Sequence, residues 1–164
     1  MLIRPLLIED FPVVKEIYSL GIATGNATFE TEAPDWEKWD QSHLKDCRFV
    51  AVDGTDQVIG WSALTAVSGR CAYAGVAEVS VYVHPSHSGR GVGKKLLEQL
   101  IHESEKNDLW TLQAGVFPEN IASLKIHEKC GFRMLGRREK IGKMKGIWRD
   151  TLLLEKRSSA VGHE

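Results

Sequence analysis

Residues 78–100 read EVSVYVHPSHSGRGVGKKLLEQL. Glu78–His84 alternates and is rich in valine, the pattern of a β-strand. Pro85–Ser88 interrupts it. Gly89-Arg90-Gly91-Val92-Gly93-Lys94 then opens a run in which Val92, Leu96, Leu97, Leu100 and Ile101 recur at helical spacing on one face. A strand, a glycine-rich turn and a helix in immediate succession form a cradle for an anion. Glycine lets the backbone approach a ligand closely, and the first amides of a helix have no internal partner. Those amides and the positive end of the helix dipole favour a phosphate or pyrophosphate. A Walker loop does not fit, because Lys94 is followed by Lys95 and the first glycine of G-x-x-x-x-G-K-[ST] is absent. Nor does the dinucleotide fingerprint G-x-G-x-x-G, which follows the first strand of its chain. A glycine-rich turn that only starts a helix remains the plain alternative.

Outward from this stretch, the 164 residues are 43% hydrophobic and 26% charged, which suits one compact domain with a sizeable core. A formal net charge of -1 argues against nucleic acid or an anionic membrane as the main partner. Basic residues cluster at Arg90–Lys95 and Arg133–Lys145, either as solvated surface or as local attraction for phosphates. Cys47, Cys71 and Cys130 have neither metal nor disulfide spacing, an odd and sparse set that suits a reducing cytoplasm. His84 and His87 lie i, i+3 across Pro85 with no third ligand evident, so no metal is expected. The N-terminus does not read as a signal peptide, and no window reaches the ~18 apolar residues of a membrane span.

In chain order, Leu2–Arg4 reads as a short strand. Glu9-Asp10 can cap a helix carrying Phe11, Val14, Ile17, Tyr18 and Ile22, which Gly21 and Gly25 end. Asn26–Glu32 has no clear period and is a candidate substrate-facing loop. A helix with Trp36, Trp39 and Leu44 follows, its two tryptophans spaced for core packing. Phe49–Val52 and Val58–Leu64 form a hairpin around Asp53-Gly54-Thr55-Asp56. Val67–Gly75 is a loop holding Ser68, Gly69, Arg70 and Tyr73. After the central stretch come a strand at Trp110–Phe117 and a helix at Ile121–Cys130, capped by Asn120 and closed by Gly131. Met134–Ile141 and Trp148–Lys156 pair around Gly142–Gly146, and Arg157–Glu164 is a frayed tail. The expected organisation is a single domain over 1–157 with a flexible tail at 158–164. The element order implies an α/β or α+β fold with helices on both faces of a mostly antiparallel sheet.

Ser88-Gly89-Arg90-Gly91-Val92-Gly93 resembles motif A of the GNAT superfamily of acetyl-CoA-dependent N-acyltransferases, with Ser88 where the family usually has Gln or Arg. Asn120-Ile121-Ala122-Ser123-Leu124-Lys125-Ile126-His127-Glu128-Lys129-Cys130-Gly131-Phe132 resembles its motif B throughout. One branch, the phosphinothricin and methionine sulfoximine N-acetyltransferases, is similar over nearly the whole chain. The shared pieces are Ala27-Thr28-Phe29-Glu30-Thr31, Arg70-x-x-Tyr73, Ala77-Glu78-x-Ser80-Val81-Tyr82-Val83, His127-Glu128 and Gly142-x-x-x-Gly146-x-Trp148-x-Asp150. The resemblance implies the GNAT fold, a mixed and mostly antiparallel central sheet whose parallel strands four and five splay apart to admit the cofactor. It also implies acetyl-CoA as co-substrate and a small amine as acceptor.

Acetyl transfer to nitrogen requires a neutral amine, a thioester held beside it, a stabilised oxyanion and a thiolate that can leave. Glu78 is the candidate general base. Alternation puts it on one strand face with Ser80 and Tyr82, and a carboxylate on an apolar strand is unusual. The resemblance agrees, since this position matches the proposed base of the branch. The open alternative is a strand-end glutamate facing water or paired with Arg70. By motif register His127 is the candidate acid for the thiolate, and the alternative is a helix histidine packed on the sheet. The resemblance assigns the pantetheine amides to the backbone of Val81, Tyr82 and Val83. It assigns the pyrophosphate to Gly89, Arg90, Gly91, Val92, Gly93 and Lys94, and a contact with the pantetheine arm to Asn120. A backbone N–H of the strand could stabilise the oxyanion. Phe29, Ser68, Gly69, Arg70, Tyr73, Val79 and Ser80 are the candidate substrate residues beside Glu78. Arg70 is the cation suited to a carboxylate, with a surface arginine as the open alternative. The functions to weigh are an N-acetyltransferase for phosphinothricin- or methionine-sulfoximine-like amino acids, a protein N-terminal acetyltransferase, and a non-catalytic CoA-binding module. The terminal strand pair with Trp148 resembles dimer-forming regions, so a homodimer is expected.

Overall fold

The valine-rich strand lies in the middle of the molecule because it must bury one face and support the glycine turn at its end. In the structure, a computed structural model describing residues 1–164, it is β4 (Val76–Val83) of a seven-stranded sheet. The other strands are β1 (Leu2–Pro5), β2 (Phe49–Val52), β3 (Val58–Ala66), β5 (Thr111–Val116), β6 (Arg133–Met144) and β7 (Ile147–Arg157). Their order across the sheet is β1-β2-β3-β4-β5-β7-β6, and only the β4–β5 pair is parallel.

Helices cover both faces. α3 (Val92–Lys106) and α4 (Ile121–Lys129) lie on one, where Leu96, Leu97 and Leu100 are fully buried against Leu64, Ala77, Val79, Leu112 and Leu154. α1 (Phe11–Ala23) and α2 (Trp36–Ser42) lie on the other, where Val14, Ile17, Trp39 and Trp61 form a second core. The face division follows from the alternation in β4. Ala77 and Val79 join the α3 core, whereas Tyr82 stacks on Trp61 under α1, at 4.9 Å and 15°. Both expected tryptophans pack there, Trp36 and Trp39 lying 5.9 Å apart.

Several boundaries depart from expectation. Gly21 lies inside α1, where the Tyr82 ring leaves no room for a side chain: an added Cβ would sit 2.7 Å from it. Asp10 does not cap α1; its carboxylate takes both arms of Arg4 at 2.7 and 2.8 Å and the Leu7 N–H, which hold it below the usual carboxylate range. α2 starts at an Asp35 cap on Lys38 N–H and stops before Leu44. The last hairpin turns at Lys145-Gly146, both at positive φ (48° and 79°), as a tight two-residue turn requires. Gly142 instead lies within β6. The residues after Arg157, expected to fray, are placed against the end of the sheet. Ser158 is buried, its N–H donates to Trp110 O at 2.8 Å, and its hydroxyl donates to Glu105 at 2.6 Å. No helix is long and apolar enough to cross a membrane.

Candidate active site

The site begins where two strands stop pairing. In the β3–β4 ladder, Val67 N–H donates to Val76 O and His84 N–H to Ile59 O. These bonds bracket the register that runs from Ala66↔Ala77 to Gly60↔Val83. Antiparallel rungs alternate, so the even-numbered residues of β4 bond to β3 and the odd ones turn toward β5. The bond from Ser158 N–H to Trp110 O sets the phase of β5 against β7 in the same way, leaving Thr111, Gln113 and Gly115 facing β4. The parallel pairing runs only from Val76↔Thr111 to Glu78↔Gln113. A parallel rung there bonds Val79 N–H to the Gln113 carbonyl. Beyond it Val81 and Val83 on one side, and Gly115 on the other, present N–H and C=O groups to no opposite strand. This is the expected splay. It corrects the assignment of Tyr82, whose backbone faces Trp61 of β3 and is not available in the gap. Val79 is likewise restricted: its side chain is buried toward α3 and only its carbonyl remains open to the gap.

The glycine turn lies at the far end of the same edge. After a short 3₁₀ turn at Pro85–His87, Gly89 and Gly91 hold φ of 75° and 79°. This left-handed region favours glycine, and nothing crowds either position. Gly91 caps α3. The first chain-internal amide bond is Lys95 N–H to Gly91 O, and no amide from Gly89 to Lys94 donates within the chain. Six consecutive free N–H groups at a 15-residue helix N-terminus make the anion cradle expected from sequence. Arg90 and Lys95 are exposed beside it, and Lys94 pairs with Glu98 at 3.1 Å.

Glu78 stands at the fork. Its carboxylate is exposed on the α1 face and accepts from Gln113 Nε2 at 3.0 Å across the last paired rung. No ion pair joins it to Arg70. Arg70 is exposed, its guanidinium 5.7 Å over the Tyr73 ring, and its N–H donates to Ser68 Oγ at 3.2 Å. Gly69 is exposed next to it and Ser80 is half-buried on the Glu78 face. Phe29 is placed by other elements. It packs edge to face on Phe117 at 4.9 Å and over Gly142 of β6. The expected substrate residues are therefore placed by different elements, Phe29 by Phe117 and β6, and Arg70 by its own loop.

His127 is buried on α4. Its Nδ1 lies 2.7 Å from the Ser123 carbonyl and so carries the proton, while Nε2 is enclosed with no partner in the chain. Burial lowers its pKa below the ordinary imidazole value, outweighing the Ser123 carbonyl that opposes it. A neutral imidazole with a bare Nε2 is an acceptor, which weighs against the expected acid role. We predict that His127→Phe keeps turnover within about threefold of wild type; a hundredfold loss would restore the acid assignment. The same group makes stability pH-dependent. With the folded value depressed, the unfolded chain takes up the proton first, so stability is full above about pH 6.5 and declines as the pH falls below it. The Phe variant should flatten that decline in melts compared at about pH 5 and pH 8, with a residue left by His43, which burial also lowers.

Asn120 caps α4 by accepting Ser123 N–H at 3.2 Å, as expected, and its Nδ2 donates to the Asn26 carbonyl at 3.1 Å. The contact assigned to it with the pantetheine arm would have to share that amide. Burial raises the thiols of Cys130 and Cys47, the latter to about 11, which disfavours the nucleophilic thiolate in both. Sequence reasoning missed Gln113, Gly115, Phe117 and Arg149. Gln113 carried a weak signal, as the polar residue on the face opposite Leu112, Ala114 and Val116, but its register against Glu78 was not readable.

The parted parallel pair, the free amide cradle and a carboxylate at the fork define the class, an acyltransferase of the splayed-sheet type. The acetyltransferase (GNAT) family model matches residues 8–132. Over 161 residues the chain is 30% identical to the phosphinothricin N-acetyltransferase of Streptomyces coelicolor, covering 94% of each chain. Among solved structures, the phosphinothricin acetyltransferase of Sinorhizobium meliloti in complex with AcCoA superposes with a TM-score of 0.90 at 26% identity, covering 99% of this chain and 91% of that one. The ribosomal-protein-alanine N-acetyltransferase of Brucella melitensis superposes with a TM-score of 0.89 at 28% identity, covering 96% and 100%. The chain belongs to the GNAT family of acetyltransferases.

Proposed function

We propose that this protein is an acetyl-CoA-dependent N-acetyltransferase for the amino group of a small amino-acid-like substrate of the phosphinothricin or methionine sulfoximine type. The observation that carries the reading is the fork. Pairing between β4 and β5 ends at Glu78 and Gln113, so a carboxylate and the free edge of Val81 meet at one point. Acetyl-CoA supplies the acetyl group as an activated thioester. The residues present fit such a carrier: the six amides of Gly89–Lys94 suit a diphosphate, and the Val81 carbonyl with the backbone of Val83 can pair with pantetheine amides as an added strand would. Glu78 takes a proton from the substrate ammonium, and the neutral amine so formed attacks the thioester carbonyl. The α-amines of peptides titrate near ~8 and those of free amino acids somewhat higher, so a modest base suffices. The Val81 N–H is the free donor near the fork for negative charge that develops on the thioester oxygen. Solvent water protonates the leaving thiolate. Arg70, with Ser68, Gly69 and Tyr73, takes the substrate carboxylate, and Phe29 and Ser80 line the remaining wall.

A thiol-release assay with acetyl-CoA across free amino acids, phosphinothricin, methionine sulfoximine and short peptides tests this. Turnover with the free amino acids is expected. Turnover with peptides alone would favour protein N-terminal acetylation; the Brucella relative is named a ribosomal-protein-alanine N-acetyltransferase. CoA binding without turnover on any amine would leave a binding module.

We further propose a homodimer formed by the β6–β7 hairpin in a cytoplasmic protein. Ile141, Ile147 and Trp148 are 52%, 65% and 56% exposed on it, an apolar surface that a partner copy would cover. Sedimentation should give twice the chain mass of 18.3 kDa, and Trp148→Glu should give the monomer.

A further inference from the structure

The segment that carries Phe29 is held from the opposite end of the chain. Arg149 lies in β7, its side chain 16% exposed. Nη1 donates to the Gly25 carbonyl at 2.8 Å, and Nη2 donates to Asn26 Oδ1 at 2.9 Å and to Glu119 Oε2 at 3.3 Å. The guanidinium lies 4.2 Å over the Phe117 ring. A planar fork that donates to several acceptors and stacks on an aromatic face uses what distinguishes arginine from lysine. Asn120 adds a second tie to the same place, through the Asn26 carbonyl. Three residues on, Phe29 meets the same Phe117 ring and lies over Gly142, where an added Cβ would sit 2.7 Å from it. The loop thus has no regular structure of its own, yet it is fastened at Gly25 and Asn26 by one side chain, 124 and 123 residues away, and by the start of α4.

We propose that Arg149 is a positioning residue for the amine substrate, clamping the 24–32 segment on the Glu78 face of the β4–β5 gap so that Phe29 forms a fixed wall of the amine site. The proposal rests on the acetyltransferase reading above. It differs from a purely structural staple in what it does to kinetics. A staple lost anywhere in the fold would act on both substrates or on stability alone. A lost clamp acts on the amine.

The test compares wild type, Arg149→Ala and Arg149→Lys in steady-state kinetics with acetyl-CoA and methionine sulfoximine, alongside hydrogen exchange of the amides in 24–30. Arg149→Ala should raise the amine KM about tenfold, keep the acetyl-CoA KM within about twofold, and speed exchange in the loop. Arg149→Lys, which keeps the charge but not the fork, should recover only part of the KM. Should Arg149→Ala not fold, Asn26→Ala removes one acceptor of the clamp and should raise the same KM about threefold. Parallel changes in both KM values, an unchanged amine KM, or unchanged exchange in 24–30 each overturn the clamp. If wild type acetylates no amine, the functional reading falls and takes the substrate half of this proposal with it, while the exchange result still decides whether Arg149 holds the loop.

Discussion

Replacing Glu78 by glutamine is expected to lower kcat for amine acetylation by about a hundredfold near neutral pH, the usual worth of a positioned general base. The substitution is nearly isosteric and the position is exposed, so stability should change little. The backbone rung that joins β4 to β5 is untouched. What disappears is the proton acceptor at the fork, only one oxygen of which takes the Gln113 bond. The defect should shrink as the pH rises from about 7 to about 9.5, because a growing share of the amine then reaches the site already neutral. A pH–rate profile of kcat/KM measures this. The same loss at every pH, or no loss, removes Glu78 as the base.

Gly91→Val is expected to weaken acetyl-CoA binding by roughly ten- to a hundredfold, read by calorimetry as Kd. The added side chain has open space, with nothing within 4 Å of its Cβ, so no clash is involved. The cost is conformational. A φ of 79° disfavours a β-branched residue by roughly 1–2 kcal/mol. Relief of that strain rotates the peptide units on either side and turns the free amides of Gly89–Lys94 out of a common focus. Asparagine tolerates this region better, so Gly91→Asn should keep most of the affinity. The amine KM should not move in either variant. Equal affinity for wild type and Gly91→Val would show that these amides are not the diphosphate site.

The elements of this fold were largely legible because each announces itself within a few residues. The alternation of Glu78–His84, the spacing of Val92, Leu96, Leu97 and Leu100, and the cap at Asn120 all depend on local geometry. Errors came where a distant group decided a local question. Gly21 reads as a helix end, yet it is a helix interior left bare for the Tyr82 ring. Asp10 reads as a cap, but the Arg4 guanidinium takes its carboxylate. Gly142 and Gly146 look alike in sequence. One provides the left-handed turn, and the other provides space for Phe29.

The candidate site divides along the same line. The sequence alone determined that a strand, a glycine turn and a helix follow one another, that a carboxylate lies on that strand, and that the free amides stand at a helix start, since all of this is set by neighbours along the chain. Only the tertiary structure decided which strand edge is left unpaired, because hydrogen-bond phase passes from β3 and β7 into β4 and β5 through register, which no local pattern encodes. It likewise decided that Gln113 holds Glu78, that Arg149 reaches Gly25 and Asn26, and that His127 is enclosed and neutral. Each of these depends on what packing brings within a few ångströms and on how much water it leaves there.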